Sequence, residues 1–408
     1  MHYDNLETRA PEDRERDLFT RLPQQIAYAK VNAAYFAKAL ANVDAAAIDT
    51  RAALAGLPVL RKHELIELQK TQRPFGGLVV RPYGQIGRVF SSPGPIYEPE
   101  GRGADYWRTA RALFAAGFRA GDLVHNSFSY HMTPGAWILE GGAQALGCSV
   151  FPGGVGQTEQ QVQAMADLQP NGYVGTPSFL RILVEKADEM GIKLPSLKKA
   201  LVSGEAFLPP VRDALRARGI EGYQAYATAD LGVIAYETRA REGLVVDEGV
   251  IVEIVRPGTG DPVAEGEVGE VVVTTFNTDY PLIRFGTGDL SAVLPGPSPC
   301  GRSNIRIRGW MGRAYQTTKV KGMFVHPEQI AAIVKRHPEV KKARLVVTNP
   351  DATDAMTLYC EAAGGAGLDA AIADSVRDIT KLRGEVRLVA PDSLANDGKV
   401  IEDARKYD

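Results

Sequence analysis

Between residues 13 and 46, apolar side chains recur at helical spacing: Leu18, Leu22, Ile26 and Ala29, then Ala33, Phe36 and Leu40. One apolar stripe with polar residues between its members predicts a helix lying on a larger body. Pro58 and Pro74 punctuate the next stretch, so residues 1–75 are expected to form a helical flank. From residue 104 the pattern changes. Trp107, Ala110, Phe114 and Phe118 share one helical face, and Gly121-Asp122 turns the chain into a short strand, Leu123-Val124-His125. Helix and strand then alternate: helix 136–146, strand 149–151, a helix opened by Thr158 and Gln161 as a capping box, and strand 172–175. Helix 178–190, closed by Gly191, strand 200–203, helix 210–218 and strand 223–226 continue the series. Such alternation predicts a parallel sheet covered on both faces.

Two later sections read differently. Val250, Val252 and Ile254, then Val271, Val272 and Val273, are short β runs separated by Pro257-Gly258 and Glu265-Gly266 turns, which predicts an antiparallel or barrel-like section. Residues 322–408 predict a small α+β lid: helix 327–336, strands 344–348 and 356–361, helix 369–382 and strand 385–389. The fold class is therefore α/β, a large N-terminal domain with parallel sheets and a β-barrel-like section, joined to a small C-terminal lid.

Composition narrows the function. With 45% hydrophobic and 24% charged residues, the chain is neither disordered nor fibrous. A net charge of −2 counts against a nucleic-acid binder. Cys148, Cys300 and Cys360 lie far apart, without disulfide or zinc-site spacing, and suit a reducing cytosol. No apolar run approaches the length of a membrane span, and the first residues lack a signal pattern. The expectation is a cytoplasmic enzyme acting on small molecules, with no nucleic-acid or membrane partner; a homodimer is left open.

In open α/β sheets, ligands bind beyond the carboxyl ends of the strands. Ser203-Gly204-Glu205 and Tyr226-Ala227-Thr228-Ala229-Asp230 fall there, although each alone has ordinary turn composition. Asp289, after Gly286-Thr287-Gly288, has the chemistry to accept two hydrogen bonds from a ribose diol, or else closes a hairpin. From 301 to 322 the chain holds Arg302, Arg306, Arg308, Arg313, Lys319 and Lys321 with no acid. That is a solvated face or a basic hinge turned toward phosphates. Ser91 to Pro99 reads as a loop. Phe151 to Thr158 is a Gly-rich turn into a helix, whose N-terminus suits an anion. Phe128, Tyr130, His131 and Trp137 form an aromatic segment after a strand end, fit to line an acyl pocket or the core.

Together and in this order, these clusters resemble the phenylacetate–CoA ligase family of the adenylate-forming enzymes. Leu146-Gly147-Cys148, Phe151-Pro152, Gly156-Gln157-Thr158-Glu159 and Thr176-Pro177-Ser178 are similar to this branch in particular. The resemblance implies an AMP-forming CoA ligase. It would activate an aromatic, phenylacetate-like carboxylate with ATP through an acyl-adenylate, rotate its C-terminal domain, and form the thioester with coenzyme A. It implies an AMP-binding domain over 1–313, a hinge over 314–321 and a lid over 322–408. Ser91 and Ser92 would belong to the nucleotide-phosphate loop, Gly204 and Glu205 to the adenine pocket, and Tyr226 with Ala227 to the adenine face. Asp230 would act in catalysis and hold Mg2+, Asp289 would bind the ribose, and Arg313 would reach the nucleotide. Lys399, in Asp397-Gly398-Lys399-Val400, would contact the reacting carboxylate and α-phosphate. Phe128, Tyr130, His131 and Gly154 would contact the acyl group.

Two segments depart from the family. Its phosphate loop reads Ser-Ser-Gly-Thr-Thr-Gly-Lys-Pro; here Ser91-Ser92 is succeeded by Pro93, Pro95, Ile96 and Glu98, and the Lys is absent. The prolines remove N–H donors, and Glu98 is expected to bring a negative charge to the pyrophosphate. AMP is therefore expected to bind better than ATP. This loop also allows a second reading: a non-ligase member that binds AMP, an acyl-adenylate or acyl-CoA. At the hinge, Tyr315 and Gln316 stand where the family has acids.

Overall fold

A computed structural model describes residues 1–92, 96–314, 316–321, 323–350, 354–365 and 367–405. Pro93, Pro95 and Tyr315 lie outside the described residues. By its contacts the chain divides into two compact units: Met1–Val252 with Val273–Thr287 and Leu294–Trp310, and Glu253–Val272 with Gly288–Val293 and Met311–Asp408.

The first unit opens on the helix Pro11–Asn32, which has Pro11 in its first turn with Glu12 and Asp13 beside it, as a helix N-terminus favours. Leu18, Leu22, Ile26 and Ala29 are buried on one face. The stripe continues in a second helix, Ala34–Ala39. Five parallel strands come next, in spatial order Ser149–Pro152, Leu123–Asn126, Gly172–Gly175, Lys199–Val202 and Glu221–Thr228. Gly232–Glu237, Leu244–Val246 and Arg306–Ile307 extend the sheet antiparallel. The helix Pro177–Glu189 lays Leu180, Leu183, Val184 and Ala187 onto it and is capped by the Thr176 hydroxyl.

Two local expectations fail. The helix expected across Trp107 to Phe118 covers only Ala110–Ala115, because Arg108 takes a left-handed φ of 60° and Gly117 one of 95°. Trp107 and Phe118 still enter the core, from outside the helix. The helix Thr158–Leu168 begins where expected but without the capping box. Gln161 instead donates to the carbonyls of Gly154 and Gly156 at 2.9 and 2.7 Å, fixing the Gly-rich turn. Gly142 allows the helix Gly135–Ala145 to cross the chain at Thr109, since a Cβ there would lie 2.4 Å from the Thr109 Cβ. The β-rich section is an open sheet, in the order Leu60–Arg61, Phe285–Ser291, Gly269–Thr275 and Val250–Val255.

The second unit holds, among the described residues, a four-stranded sheet in the order Glu385–Val389, Ala355–Glu361, Lys342–Thr348 and Ile401–Asp403. The helices Pro327–Arg336 and Leu368–Thr380 cover it, with Ile330, Ile333, Leu345, Leu358, Ile372 and Val376 in the core. Ile401–Asp403 is a strand the pattern does not announce. It is three residues long and pairs through Leu345↔Ile401.

Candidate functional site

The strand ends of the first unit carry most of the predicted residues. Gly204, at φ 85°, turns the chain after Lys199–Val202, and Ser203 Oγ donates to the Ala225 carbonyl at 2.8 Å, tying two strand ends together. Glu205 accepts from the Ser178 N–H at 2.9 Å. Burial pushes its carboxyl up, but hydrogen bonds from Ser178 and Thr176 outweigh this and hold it below its ordinary value. The Tyr226 ring is buried, and its hydroxyl donates to Thr287 Oγ1 at 3.2 Å.

A cavity of about 230 Å3 opens beside these ends. It brings together Ser92, Phe128, Gly204 and Ala227, with Ile138 and Leu139 as apolar walls. Tyr130, His131 and Gly154 do not line it. Tyr130 donates to Glu140 Oε2 at 2.6 Å and stands edge-on to Trp137, over which the Arg88 guanidinium sits at 3.9 Å. His131 is exposed, and Gly154 is 4.0 Å from the Tyr130 ring, measured from the Cβ it lacks. These three are therefore outside the cavity in which Phe128 sits.

The altered phosphate loop is a hairpin, Arg88–Ser92 against Ile96–Glu100. Gln69 clamps its outer strand, exchanging two 2.9 Å hydrogen bonds with the Tyr97 backbone. Ser91 N–H donates to the Met132 carbonyl at 2.8 Å. Glu98 corrects the expectation from sequence. It is 0% exposed and accepts from Ser92 Oγ at 2.7 Å. Burial, reinforced by the charge of Asp230 and opposed by Lys62, pushes its carboxyl up to about 9. Near neutral pH it is an uncharged acid, so it does not repel phosphates.

Asp230 is buried and paired with Lys62 Nζ at 2.6 Å. Lys62 comes directly after the strand Leu60–Arg61, which runs parallel to Phe285-Gly286. Sequence reasoning missed it: a single lysine in a polar flank gives no signal, and its partner is 168 residues away. At Asp230 an ammonium already holds one oxygen, and among the described residues no group of three or more His, Cys, Asp and Glu is placed to hold a metal, so an Mg2+ ion there would depend on phosphate oxygens of the substrate.

In the second unit, Arg313 Nη1 lies 2.9 Å from Asp289 Oδ1; the carboxylate is buried, and the arginine side chain is 67% exposed. Lys399 is exposed, and its loop is fixed by its neighbours. Gln316 Oε1 accepts from the N–H of Val400 at 2.6 Å and of Ile401 at 2.9 Å. Its Nε2 donates to the Gly398 carbonyl at 3.0 Å. Lys399 lines a cavity of about 520 Å3 with Arg256, Lys335 and Lys341.

The stretch 301–322 is not one basic face. Arg302 is buried on Glu7 at 2.7 Å, and Arg306 on Glu242 at 3.1 Å and on three backbone carbonyls. Both are structural cations of the first unit. Arg308, Arg313, Lys319 and Lys321 are exposed.

The AMP-binding enzyme family model matches residues 108–278. The chain is 31% identical to a phenylacetate–coenzyme A ligase of Aromatoleum evansii, over 86% of this chain and 83% of that protein. It is 30% identical to a phenylacetate–coenzyme A ligase of Thermus thermophilus, over 86% and 82%. Among solved structures, it resembles a 2-hydroxyisobutyryl-CoA ligase in complex with 2-HIB-AMP and CoA in the thioesterification state. The TM-score is 0.71 at 27% identity, covering 98% of this chain and 92% of that one. The same ligase in its postadenylation state matches with a TM-score of 0.72. No described helix is long and apolar enough to cross a membrane.

Proposed function

Because the chain belongs to the phenylacetate–CoA ligase family of AMP-forming acid–thiol ligases, we propose that its own substrate is a small aromatic, phenylacetate-like carboxylate. The cavity at the strand ends carries this reading. Its volume of about 230 Å3 lies below the range of drug-sized pockets, and Phe128, Ile138 and Leu139 give it an apolar wall, which suits one ring rather than a long acyl chain. A carboxylate oxygen attacks the α-phosphorus of ATP, the bond to pyrophosphate breaks, and acyl-AMP forms. The sulfur of coenzyme A then attacks the acyl carbon, and AMP leaves with the electron pair of the broken C–O bond.

In this proposal Gly204, Glu205, Tyr226 and Ala227 border the adenine, and Asp289 with Arg313 holds the ribose side. Lys399 stabilises charge building on the α-phosphate. Phe128 packs on the ring. Ser91 and Ser92 shape the hairpin, since the Ser92 hydroxyl is already given to Glu98. Residues 1–313, 314–321 and 322–408 are taken as AMP-binding domain, hinge and lid. Oligomeric state does not enter the proposal.

Pyrophosphate release, with ATP and matched panels of aryl and short aliphatic acids, tests it. An aryl acid should exceed an aliphatic acid in kcat/KM by at least about tenfold, the lower end of what one buried methylene is worth. A best substrate among the short hydroxy acids would defeat the aromatic reading.

Asp289 allows a second test. If its carboxylate accepts both ribose hydroxyls, Asp289→Ala should weaken AMP binding by about 1.5–3 kcal/mol, the scale of hydrogen bonds to a charged group. Its partner Arg313 is 67% exposed, so freeing it adds little. Calorimetric titration of AMP reads the loss directly, and unchanged affinity would leave Asp289 as a structural partner of Arg313.

A further inference from the structure

Asn126 ends the strand Leu123–Asn126 and is 0% exposed. Both polar atoms of its side-chain amide are engaged. Oδ1 accepts from the Phe128 N–H at 3.1 Å, and Nδ2 donates to the Ala136 carbonyl at 2.9 Å and to the Tyr130 oxygen at 3.0 Å. Tyr130 gives its own proton to Glu140 Oε2 at 2.6 Å, so toward Asn126 its oxygen only accepts. That fixes the amide's orientation, nitrogen toward Tyr130 and Ala136 and oxygen toward Phe128. The backbone beneath is held as well: the Asn126 carbonyl accepts from the Gly154 N–H at 3.0 Å, and the Ser127 N–H donates to the Val174 carbonyl at 2.9 Å. One buried amide thus holds both ends of the loop 127–134, Phe128 near its start and Ala136 in the first turn of the helix Gly135–Ala145.

That loop builds one wall of the cavity at the strand ends, through Phe128, Thr133 and Pro134. The Phe128 ring stands between two glycines: a Cβ on Gly135 would lie 3.3 Å from its Cδ1, and one on Gly204 would lie 3.5 Å from its Cε1. Neither glycine offers a side chain to brace the ring, so its place depends on the backbone that carries it. The far side of the loop is tied to the hairpin, where the Ser91 N–H donates to the Met132 carbonyl at 2.8 Å. The near side, with Phe128, is tied by Asn126. We propose that Asn126 is the positioning residue of the acyl pocket: its amide closes the loop 127–134 and so sets where the Phe128 ring meets the acyl group, which makes discrimination between carboxylates depend on a side chain that touches none of them. Tyr130, which lies outside the cavity, supports the same wall from behind.

The kinetic test rests on the aromatic substrate proposed above; the exchange test does not. Pyrophosphate release would be measured with the best aryl and the best short aliphatic acid of the panel on wild type, Asn126→Asp, Asn126→Ala, Phe128→Ala and the double variant Asn126→Asp/Phe128→Ala. Aspartate keeps the size and the acceptor but has no N–H for the Ala136 carbonyl or the Tyr130 oxygen. Both Asn126 variants should raise KM for the aryl acid and lower its kcat/KM by roughly 10- to 100-fold, while the aliphatic acid changes less than about threefold. The double variant should discriminate no worse than Phe128→Ala alone, and AMP affinity, read by calorimetry, should stay within about threefold of wild type. A role confined to folding would weaken both acids and AMP together. Losses of discrimination that add to those of Phe128→Ala would show that Asn126 does not act through the ring. Either result overturns the inference.

Independently of any variant, amide hydrogen exchange of the wild-type chain, resolved to single residues by mass spectrometry, should find the Phe128 N–H exchanging at least about 100-fold more slowly than an unstructured amide. Exchange at the unstructured rate would overturn the inference even where an aryl preference is found. A wild type that prefers no aryl acid would sink the proposed function. The Phe128 exchange rate, with the loss that Asn126→Asp causes for whichever acid is best, would still decide this one.

Discussion

Lys399→Ala is expected to slow adenylation by about two to three orders of magnitude, the cost of removing one preorganised charge from a transition state. The structure makes this variant a clean probe. The Lys399 side chain is exposed, while the backbone around it is held by other residues. Arg344 donates to the carbonyls of Ala395 and Lys399 at 3.1 Å each and pairs with the Asp397 carboxylate. Gln316 takes the N–H groups of Val400 and Ile401 and donates to the Gly398 carbonyl. Alanine therefore removes the ammonium and leaves the loop. Pyrophosphate release reads adenylation; transfer from synthetic acyl-AMP to coenzyme A reads the second step, which in the proposed scheme follows rotation of the lid. The second rate should change less than about tenfold. Equal losses in both steps would take the role away from Lys399.

The same loop shows how sequence and structure differ in what they reveal. Gln316 is conspicuous in sequence only as a missing acid. In the fold it organises the backbone on both sides of Lys399, a task for an amide with both donor and acceptor atoms. The parallel strands were legible because apolar runs alternate with amphipathic helices such as Pro177–Glu189, and period and length are local properties. The Trp107–Phe118 face was misread because it also fits helical spacing, while Asp105, accepting from the N–H groups of Thr109 and Ala110, starts the helix late. Ser92, Phe128, Gly204 and Ala227 could be found because strand-end geometry puts them at one cavity. Lys62 and the uncharged state of Glu98 could not, since both depend on burial between segments distant in sequence. Arg302 and Arg306 misled for the same reason. Their acids, Glu7 and Glu242, are 295 and 64 residues away, so a stretch without local counter-charge is internally neutralised.

Glu7→Ala should destabilise the first unit by about 3–5 kcal/mol, the range for breaking a buried ion pair from one side. Glu7 is 1% exposed in the short turn Asn5–Thr8, and Arg302 is 4% exposed. Its Oε1 accepts from Arg302 Nε and from the Tyr236 hydroxyl, both at 2.7 Å. Its Oε2 accepts from the Tyr3 N–H at 2.5 Å and from Arg302 Nη2 at 3.4 Å. Alanine leaves a guanidinium and a phenol buried without these acceptors, and that loss, rather than the pair's net attraction, sets the size of the effect. The exposed pair Arg16–Asp13, with side chains 72% and 56% exposed, is the control, and Asp13→Ala should cost less than about 0.5 kcal/mol. A chain of two units need not unfold in one step, so the probe must report on the right one. Trp107, Trp137 and Trp310, the only three tryptophans, all belong to the first unit. Tryptophan fluorescence in urea therefore tracks the unit that contains Glu7. A shift worth less than about 1 kcal/mol would mean that water reaches the Arg302 guanidinium in the folded chain and hydrates it once the carboxylate is gone.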